Sequence, residues 1–278
     1  VGQYNLCLIG EGIARSPSAA MQEAALRATG NRGSYGLVDV SAAGLPRVLR
    51  DLRSGRWHGA NVTVPYKLAL ASACDSLEGD AARTGAVNTI VVEAGGQLIG
   101  ENTDATGFEM GLNANRLLPA AGGRAVVLGA GGVAAAVVLA LGRLPLARIT
   151  VVSRRIASAH ALIERAGDIP GCEMVVGLWD EDYLERHLAA ADIVVNATPA
   201  GVSQMPFDPA RLRSCTVADV RYRPRPVDLV AAAQAAGLKS CDGVEMLLHQ
   251  GMLSFQRWTR TQPPYHAARV ALMEALRG

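Results

Sequence analysis

The chain has 278 residues, of which 50% are apolar and only 19% charged, so it is long enough for two domains and too apolar to be disordered. A net charge of +2 supplies no basic face and excludes nucleic-acid binding by bulk electrostatics. The 5 cysteines show no CxxC spacing and the 5 histidines are scattered, which argues against a disulfide framework and against a metal site.

The first hundred residues alternate strand and helix. A strand over 4–9 runs into Gly10-Glu11-Gly12-Ile13-Ala14-Arg15-Ser16-Pro17-Ser18, and an Ala-rich helix over 19–29 follows, closed by Gly30. Ser16 as N-cap with Pro17 at the first helical position explains this loop structurally. A helix start that presents Ser16 and Ser18 beside Arg15 would also hold a carboxylate, and the two readings are compatible. A strand over 35–40 and a helix over 46–54 lead to a strand over 59–64, which Pro65 ends because it has no N–H for the ladder.

The helix expected over 66–74 puts Lys67 in its first turn, where the partial positive charge of the helix terminus disfavours a cation. A lysine there, beside Asn61 and Thr63, suggests a chemical duty. A hairpin-like pair spans 88–92 and 97–100, and Asn102, Thr103 and Asp104 close the unit. Strands separated by short helices imply a mostly parallel sheet. Asn61, Thr63, Asn88, Thr89, Asn102, Thr103 and Asp104 all fall at strand ends, where open α/β sheets hold ligands. Such a row suits a polyhydroxylated substrate, because each hydroxyl needs both a donor and an acceptor. Lys67 with Asp104 would form a dyad in which the ammonium donates a proton, or stabilises an alkoxide, while the carboxylate orients it. Taken singly, a turn Asn, a capping Asp or a surface Lys explains each residue as well; only their common location argues for function.

A helix over 106–118 leaves this unit and ends at Pro119 and the Gly122-Gly123 pair. A strand over 124–128 then meets Gly129-Ala130-Gly131-Gly132-Val133-Ala134, a G-x-G-x-x-A turn, before a helix over 133–144 and a strand over 148–152. Gly129 would make the tight turn, Gly131 would admit a pyrophosphate, and Ala134 would let helix pack on strand. With strand, turn, helix and second strand in register, dinucleotide binding explains the stretch better than a bare turn. The second strand ends in Ser153-Arg154-Arg155, where NAD binding calls for a carboxylate. Arginine suits a 2′-phosphate, so NADP is the expected cofactor, against the plainer reading of two surface arginines.

A third strand, 192–196, ends in Asn196-Ala197-Thr198-Pro199-Ala200-Gly201, which either lines the nicotinamide side or is an ordinary turn. Strands over 174–176 and 216–220, helices over 182–190 and 227–236, and a helical tail over 245–258 and 265–276 complete the chain. Arg221, Arg223 and Arg225 read as a solvated loop. The most apolar helix, 133–144, is about half the length of a membrane span, and no leader precedes the first strand, so a cytoplasmic location is expected.

The motifs in series resemble the shikimate dehydrogenase family across nearly the whole chain, through residues 10–18, 61–67, 85–89, 102–108, 129–134, 153–154, 196–201, 219–224 and 243–251. The resemblance implies a two-domain α/β fold. Residues 1–104 would form a mostly parallel α/β substrate-binding and catalytic domain, residues 105–242 a doubly wound Rossmann-type NADP-binding domain, and residues 243–278 helices returning to the first domain. It implies the reversible NADP-dependent reduction of 3-dehydroshikimate to shikimate.

Residue by residue, the resemblance makes Lys67 and Asp104 the catalytic pair and gives the substrate carboxylate to Ser16 and Ser18. Thr63, Asn88 and Gln250 match hydroxyl-binding positions, with Asn61 and Tyr222 completing the pocket. Gly129, Ala130, Gly131, Gly132 and Val133 would carry the dinucleotide, Ser153, Arg154 and Arg155 its 2′-phosphate, and Thr198, Pro199, Gly243 and Met246 its nicotinamide end. The chain departs from the family in Gly12, where proline is frequent, and in Gln22 and Glu23, where His-Asn is common. A quinate/shikimate or aminoshikimate dehydrogenase is the runner-up of the same chemistry. A non-catalytic NADP(H)-sensing protein is a more distant reading, and the intact Lys67 and Asp104 speak against it. The partner expected is a small polyhydroxy carboxylate, with no nucleic acid and no membrane, in a monomer or homodimer.

Overall fold

A computed structural model describes residues 2–277. The chain forms two compact units, one running to Thr103 and resuming at Leu248, the other spanning Asp104–Leu247. The second division lies a few residues beyond the expected 242/243 boundary, inside a long helix.

In the first unit the elements are β1 (Gln3–Gly10), α1 (Ser18–Ala28), β2 (Arg32–Asp39), α2 (Leu45–Arg53), β3 (Gly59–Val62), α3 (Lys67–Ala71), β4 (Ser76–Leu77), α4 (Asp80–Thr84), β5 (Thr89–Val92) and β6 (Leu98–Glu101). The sheet order is β2-β1-β3-β5-β6-β4. Most neighbours are parallel, but β5 runs antiparallel to both β3 and β6. Its register pairs Asn61 with Thr89 and Thr89 with Glu101, so the start of β5 lies beside the ends of β3 and β6. That reversal gathers three separate polar segments at one edge of the sheet. β1 is buried on both faces, with Cys7 and Ile9 packing with Leu52 and Leu70 and the alternate Leu6 and Leu8 packing with Tyr35 and Trp258. One expectation changes here: the helix after Pro65 is a short one that begins at Lys67. β4 and α4 occupy a stretch for which no element was expected.

The second unit contains α5 (Asp104–Ala114), β7 (Arg124–Leu128), α6 (Gly132–Leu141), β8 (Arg148–Ser153), α7 (Ile156–Ala166), β9 (Glu173–Leu178), α8 (Glu181–Leu188), β10 (Ile193–Asn196), β11 (Thr216–Asp219), α9 (Asp228–Ala235) and β12 (Ser240–Cys241). All its strand pairs are parallel, in the order β12-β11-β10-β7-β8-β9. This is the doubly wound arrangement, with the chain reversing its winding between β7 and β10, and such sheets bind ligands at the strand ends beside that point. The strands are nearly continuous apolar runs because helices cover both faces, and α6 buries seven of its ten residues.

Two helices close the chain, α10 (Val244–Thr259) and α11 (Tyr265–Ala275). In the first unit α11 packs on α1, and the Trp258 indole N–H donates to the Ile90 carbonyl at 2.9 Å. Among the described residues no helix is long and apolar enough to cross a membrane.

Candidate active site

At the polar edge of the first sheet, Asn61, Asn88, Thr89, Thr103 and Ser254 are all buried, at 0–9% exposure. Polar side chains this far from water require partners, and these bond to one another. Asn61 Nδ2 donates to the Asn88 carbonyl at 3.0 Å and to Ser254 Oγ at 2.9 Å, and its Oδ1 accepts from the Tyr35 hydroxyl at 2.8 Å. Asn88 Nδ2 donates to Thr103 Oγ1 at 2.9 Å and to Gln250 Oε1 at 3.2 Å, while its Oδ1 accepts from the Thr103 N–H at 2.9 Å and the Thr89 hydroxyl at 2.8 Å. Asn61, Asn88 and Gln250, expected together, are therefore joined in one network, in which Asn61 supports the others from within. Ser254 and Tyr35 were not among the residues expected. Ser254 lies one helical turn after Gln250, and that i, i+4 spacing was the signal that would have found it.

Lys67 is half-buried at the first position of α3, and its carbonyl accepts from the Val87 N–H at 3.0 Å, tying it to the residue before Asn88. Thr63 closes the turn around Pro65, its carbonyl accepting the Tyr66 N–H at 3.0 Å. Asp104 is 4% exposed and opens α5, where a carboxylate complements the positive end of the helix dipole.

The loop before α1 is held by a side chain of the first sheet. Both Asp39 oxygens accept backbone N–H groups, from Gly12 at 2.8 Å and Ile13 at 3.1 Å. Gly12 has φ +70°, which proline, locked near −65°, cannot adopt; this explains the departure at that position. Ser16 Oγ accepts the Ser18 N–H at 3.3 Å and lies 3.2 Å from Ser18 Oγ, bringing the two hydroxyls together. Helical geometry begins at Pro17 and the assigned helix at Ser18, so Pro17 itself stands at the cap position, where Ser16 was expected.

In the second unit Gly129 has φ +114°, and a Cβ there would stand 2.8 Å from the Ala197 carbonyl oxygen. Gly131 and Gly132 open α6 differently: a Cβ on either would meet nothing within 4 Å. That open ground beside the unpaired N–H groups of a ten-residue helix fits a dinucleotide pyrophosphate. Ala130 and Val133 flank the glycines and are partly buried. At the end of β8, Ser153 Oγ accepts the Arg155 N–H at 3.3 Å, and Arg154 and Arg155 are exposed.

The segment after β10 is shaped by Asn196, whose Oδ1 accepts both the N–H and the hydroxyl of Thr198, at 3.1 and 2.7 Å. Asn196 Nδ2 donates in turn to Asp219 at 3.0 Å. Arg221, expected in a solvated loop, belongs to this network instead: its side chain is 13% exposed and is paired with Asp219 and Asp228 at 2.6 Å each. Arg225 likewise pairs with Asp242. Burial of an aspartate demanded a cation, and charge alone does not reveal that in sequence. Burial also pushes the Asp228 carboxyl up, but bonds from the Val202 N–H, Arg221 and the Leu229 N–H outweigh it and hold the group below the usual range. Pro199 is exposed, and Tyr222 is half-buried with its phenol pushed up by burial. Gly243, whose N–H donates to the Arg221 carbonyl at 2.9 Å, lines a small apolar hollow with Met246, Phe108 and Cys241. Among the described residues no group of side chains could hold a metal ion.

A doubly wound sheet with a glycine turn at its switch point, joined in one chain to an α/β unit with a polar strand edge, defines a dinucleotide-dependent oxidoreductase of two domains. The family model described as shikimate dehydrogenase substrate binding domain matches residues 8–90, and that described as shikimate 5′-dehydrogenase C-terminal domain matches residues 243–273. A saccharopine dehydrogenase NADP binding domain model matches residues 125–240. The NADP(+) shikimate dehydrogenase of Symbiobacterium thermophilum is 37% identical over 98% of this chain and 95% of its own length. The crystal structure of the Thermus thermophilus shikimate 5-dehydrogenase, in complex with NADP(H) and shikimate, superimposes with a TM-score of 0.86 at 34% identity, covering 98% of this chain and 100% of the other. The quinate dehydrogenase of Corynebacterium glutamicum, in complex with NAD, reaches a TM-score of 0.88 at 34% identity over 99% of this chain and 100% of its own. The chain belongs to the shikimate dehydrogenase family.

Proposed function

We propose that this protein catalyses the reversible NADP-dependent reduction of 3-dehydroshikimate to shikimate, with the first unit holding the substrate and the second the cofactor. The observation that carries the reading is the near full-length similarity to NADP(+) shikimate dehydrogenases, which the glycine turn and the polar strand edge accompany in the same chain.

When bound, NADPH supplies the hydride delivered to the substrate carbonyl. Lys67 donates a proton to the forming alkoxide, or stabilises its charge, and Asp104 orients the ammonium group. Ser16 and Ser18 hold the substrate carboxylate. Thr63, Asn88 and Gln250 bind its hydroxyls, with Asn61 and Tyr222 behind them. Gly129, Ala130, Gly131, Gly132 and Val133 take the pyrophosphate, and Ser153, Arg154 and Arg155 the 2′-phosphate. Thr198, Pro199, Gly243 and Met246 flank the nicotinamide end. Five unpaired thiols suit a reducing cytoplasm, and a monomer or homodimer is the assembly proposed.

Oxidation of NADPH and of NADH, each with 3-dehydroshikimate and with 3-dehydroquinate, tests the assignment. Turnover with NADPH and 3-dehydroshikimate is expected. Turnover confined to 3-dehydroquinate would make the protein a quinate dehydrogenase, the second reading, which the similarity to the Corynebacterium enzyme supports. NADPH binding without turnover would reduce it to a sensor.

A further inference from the structure

We propose that Ser254 is a positioning residue for substrate binding, one that sets where Gln250 stands beside Asn88. This inference rests on the reading above, in which Asn88 and Gln250 contact substrate hydroxyls.

Ser254 is fully buried on α10, and its single hydroxyl meets groups from three elements. Asn61 Nδ2, on β3, lies 2.9 Å from Ser254 Oγ; Thr89 Oγ1, on β5, lies 2.7 Å away; and the Gln250 carbonyl, one turn back on α10, lies 3.0 Å away. The donors follow by elimination. An amide N–H only donates and an amide oxygen only accepts. Asn61 therefore donates to Ser254, and Thr89 gives its proton to Asn88 Oδ1 at 2.8 Å, leaving its oxygen to accept from Ser254. The Gln250 carbonyl, farther off than Thr89, shares that same Ser254 proton. The chain of bonds thus runs one way, from the Tyr35 hydroxyl through Asn61, Ser254 and Thr89 to Asn88.

In this edge network Ser254 and Gln250 are the side chains supplied by α10. Asn88 Nδ2 reaches Gln250 Oε1 at 3.2 Å, the long end of a good hydrogen bond. A small displacement of α10 would break that contact first. The two shorter bonds from Ser254 to the sheet hold the helix at that edge, alongside the Thr103 hydroxyl's bond to the Gln250 carbonyl at 3.0 Å and the Gln22 amide's bond to the Gly251 carbonyl at 2.8 Å. Ser254 itself is fully buried and offers a substrate no surface, so it acts through Gln250.

The test is a mutant cycle on steady-state kinetics. Ser254→Ala should raise KM for 3-dehydroshikimate roughly tenfold, the effect of one displaced buried hydrogen bond, with KM for NADPH unchanged and kcat within about twofold. In a Gln250→Ala background the same substitution should add almost nothing, because its effect passes through the missing side chain. Ser254→Thr, which keeps the hydroxyl, should restore the wild-type KM. A lower melting temperature with unchanged KM would overturn the proposal and leave Ser254 a packing residue, as would an equal KM increase in both backgrounds. If Ser254→Ala does not fold, Ser254→Cys, whose thiol is only a weak donor and acceptor, loosens the same ties and replaces it in both arms. Wild-type protein that fails to turn over 3-dehydroshikimate refutes the assignment of function itself, which separates the two failures.

Discussion

In the first unit Asn61, Asn88, Thr89 and Ser254 are each at most 5% exposed and are bonded side chain to side chain, whereas Gly131 and Gly132 in the second have no side chain and open space where a Cβ would be. Under the proposed function the first region would present Asn88 to its ligand from a desolvated, internally bonded frame, whereas the second would present bare backbone. Desolvated groups discriminate strongly, because a ligand lacking one hydroxyl strands a buried partner at a cost of about 1–3 kcal/mol. Bare backbone at a helix terminus recognises any phosphate and owes its selectivity to what flanks it. Substrate choice should therefore respond to single side-chain changes around β3, β5 and α10, and cofactor affinity to added bulk at the turn.

The largest effect expected is at Lys67. Lys67→Ala should lower kcat by about 10²–10⁴-fold, since proton transfer or charge stabilisation is removed. A loss confined to KM would make the substrate region a purely binding one. Next come the glycines, which separate fold from ligand. Gly129→Ala should destabilise the protein by about 1–3 kcal/mol in thermal melts, because an alanine would be held at φ +114° against the Ala197 carbonyl. Gly131→Ala, at φ −87° in open space, should leave the melt unchanged and weaken NADPH binding measured by titration. Equal behaviour of the two variants would break the comparison.

A smaller effect sharpens it. Arg154→Ala should weaken NADPH roughly tenfold in direct titration while sparing NADH, as one exposed charge-assisted bond to a 2′-phosphate is lost. Equal losses would contradict that contact. The smallest effect concerns Asp228, whose carboxyl is held below its usual range. A lowered folded pKa stabilises the protein above the unfolded value of about 3.9, and the contribution disappears as pH falls through the folded value. Asp228→Asn should therefore be less stable than wild type above about pH 4 in acid melts, and the gap should close as pH falls further, through the lowered folded value. Constant separation across that range would mean that Asp228 acts through its shape alone.

Much of this was legible in the primary structure, and where it was not the cause can be named. The G-x-G-x-x-A turn was readable because a dinucleotide site is local: strand, glycines and helix are contiguous, and each glycine has its own steric reason. Asn61, Asn88 and Asn102 were readable as strand-end polars, since the breaks after β3 and before β5 are marked by Pro65 and Gly85. α7 escaped notice because its apolar face is narrow, with only Ala159 and Leu162 buried. Arg221 was misjudged because its partner's burial depends on β10 and β11 lying side by side.

Local periodicity and punctuation, then, determined the two α/β units, the nucleotide turn and the identity of the polar groups, because those depend on residues within a few positions of one another. The antiparallel insertion of β5 and the return of α10 decided which of those groups meet. Pairings across 27 residues, as between Asn61 and the Asn88 carbonyl, or 193, as between Asn61 and Ser254, are set by packing and desolvation of the assembled core, and no short-range pattern encodes them.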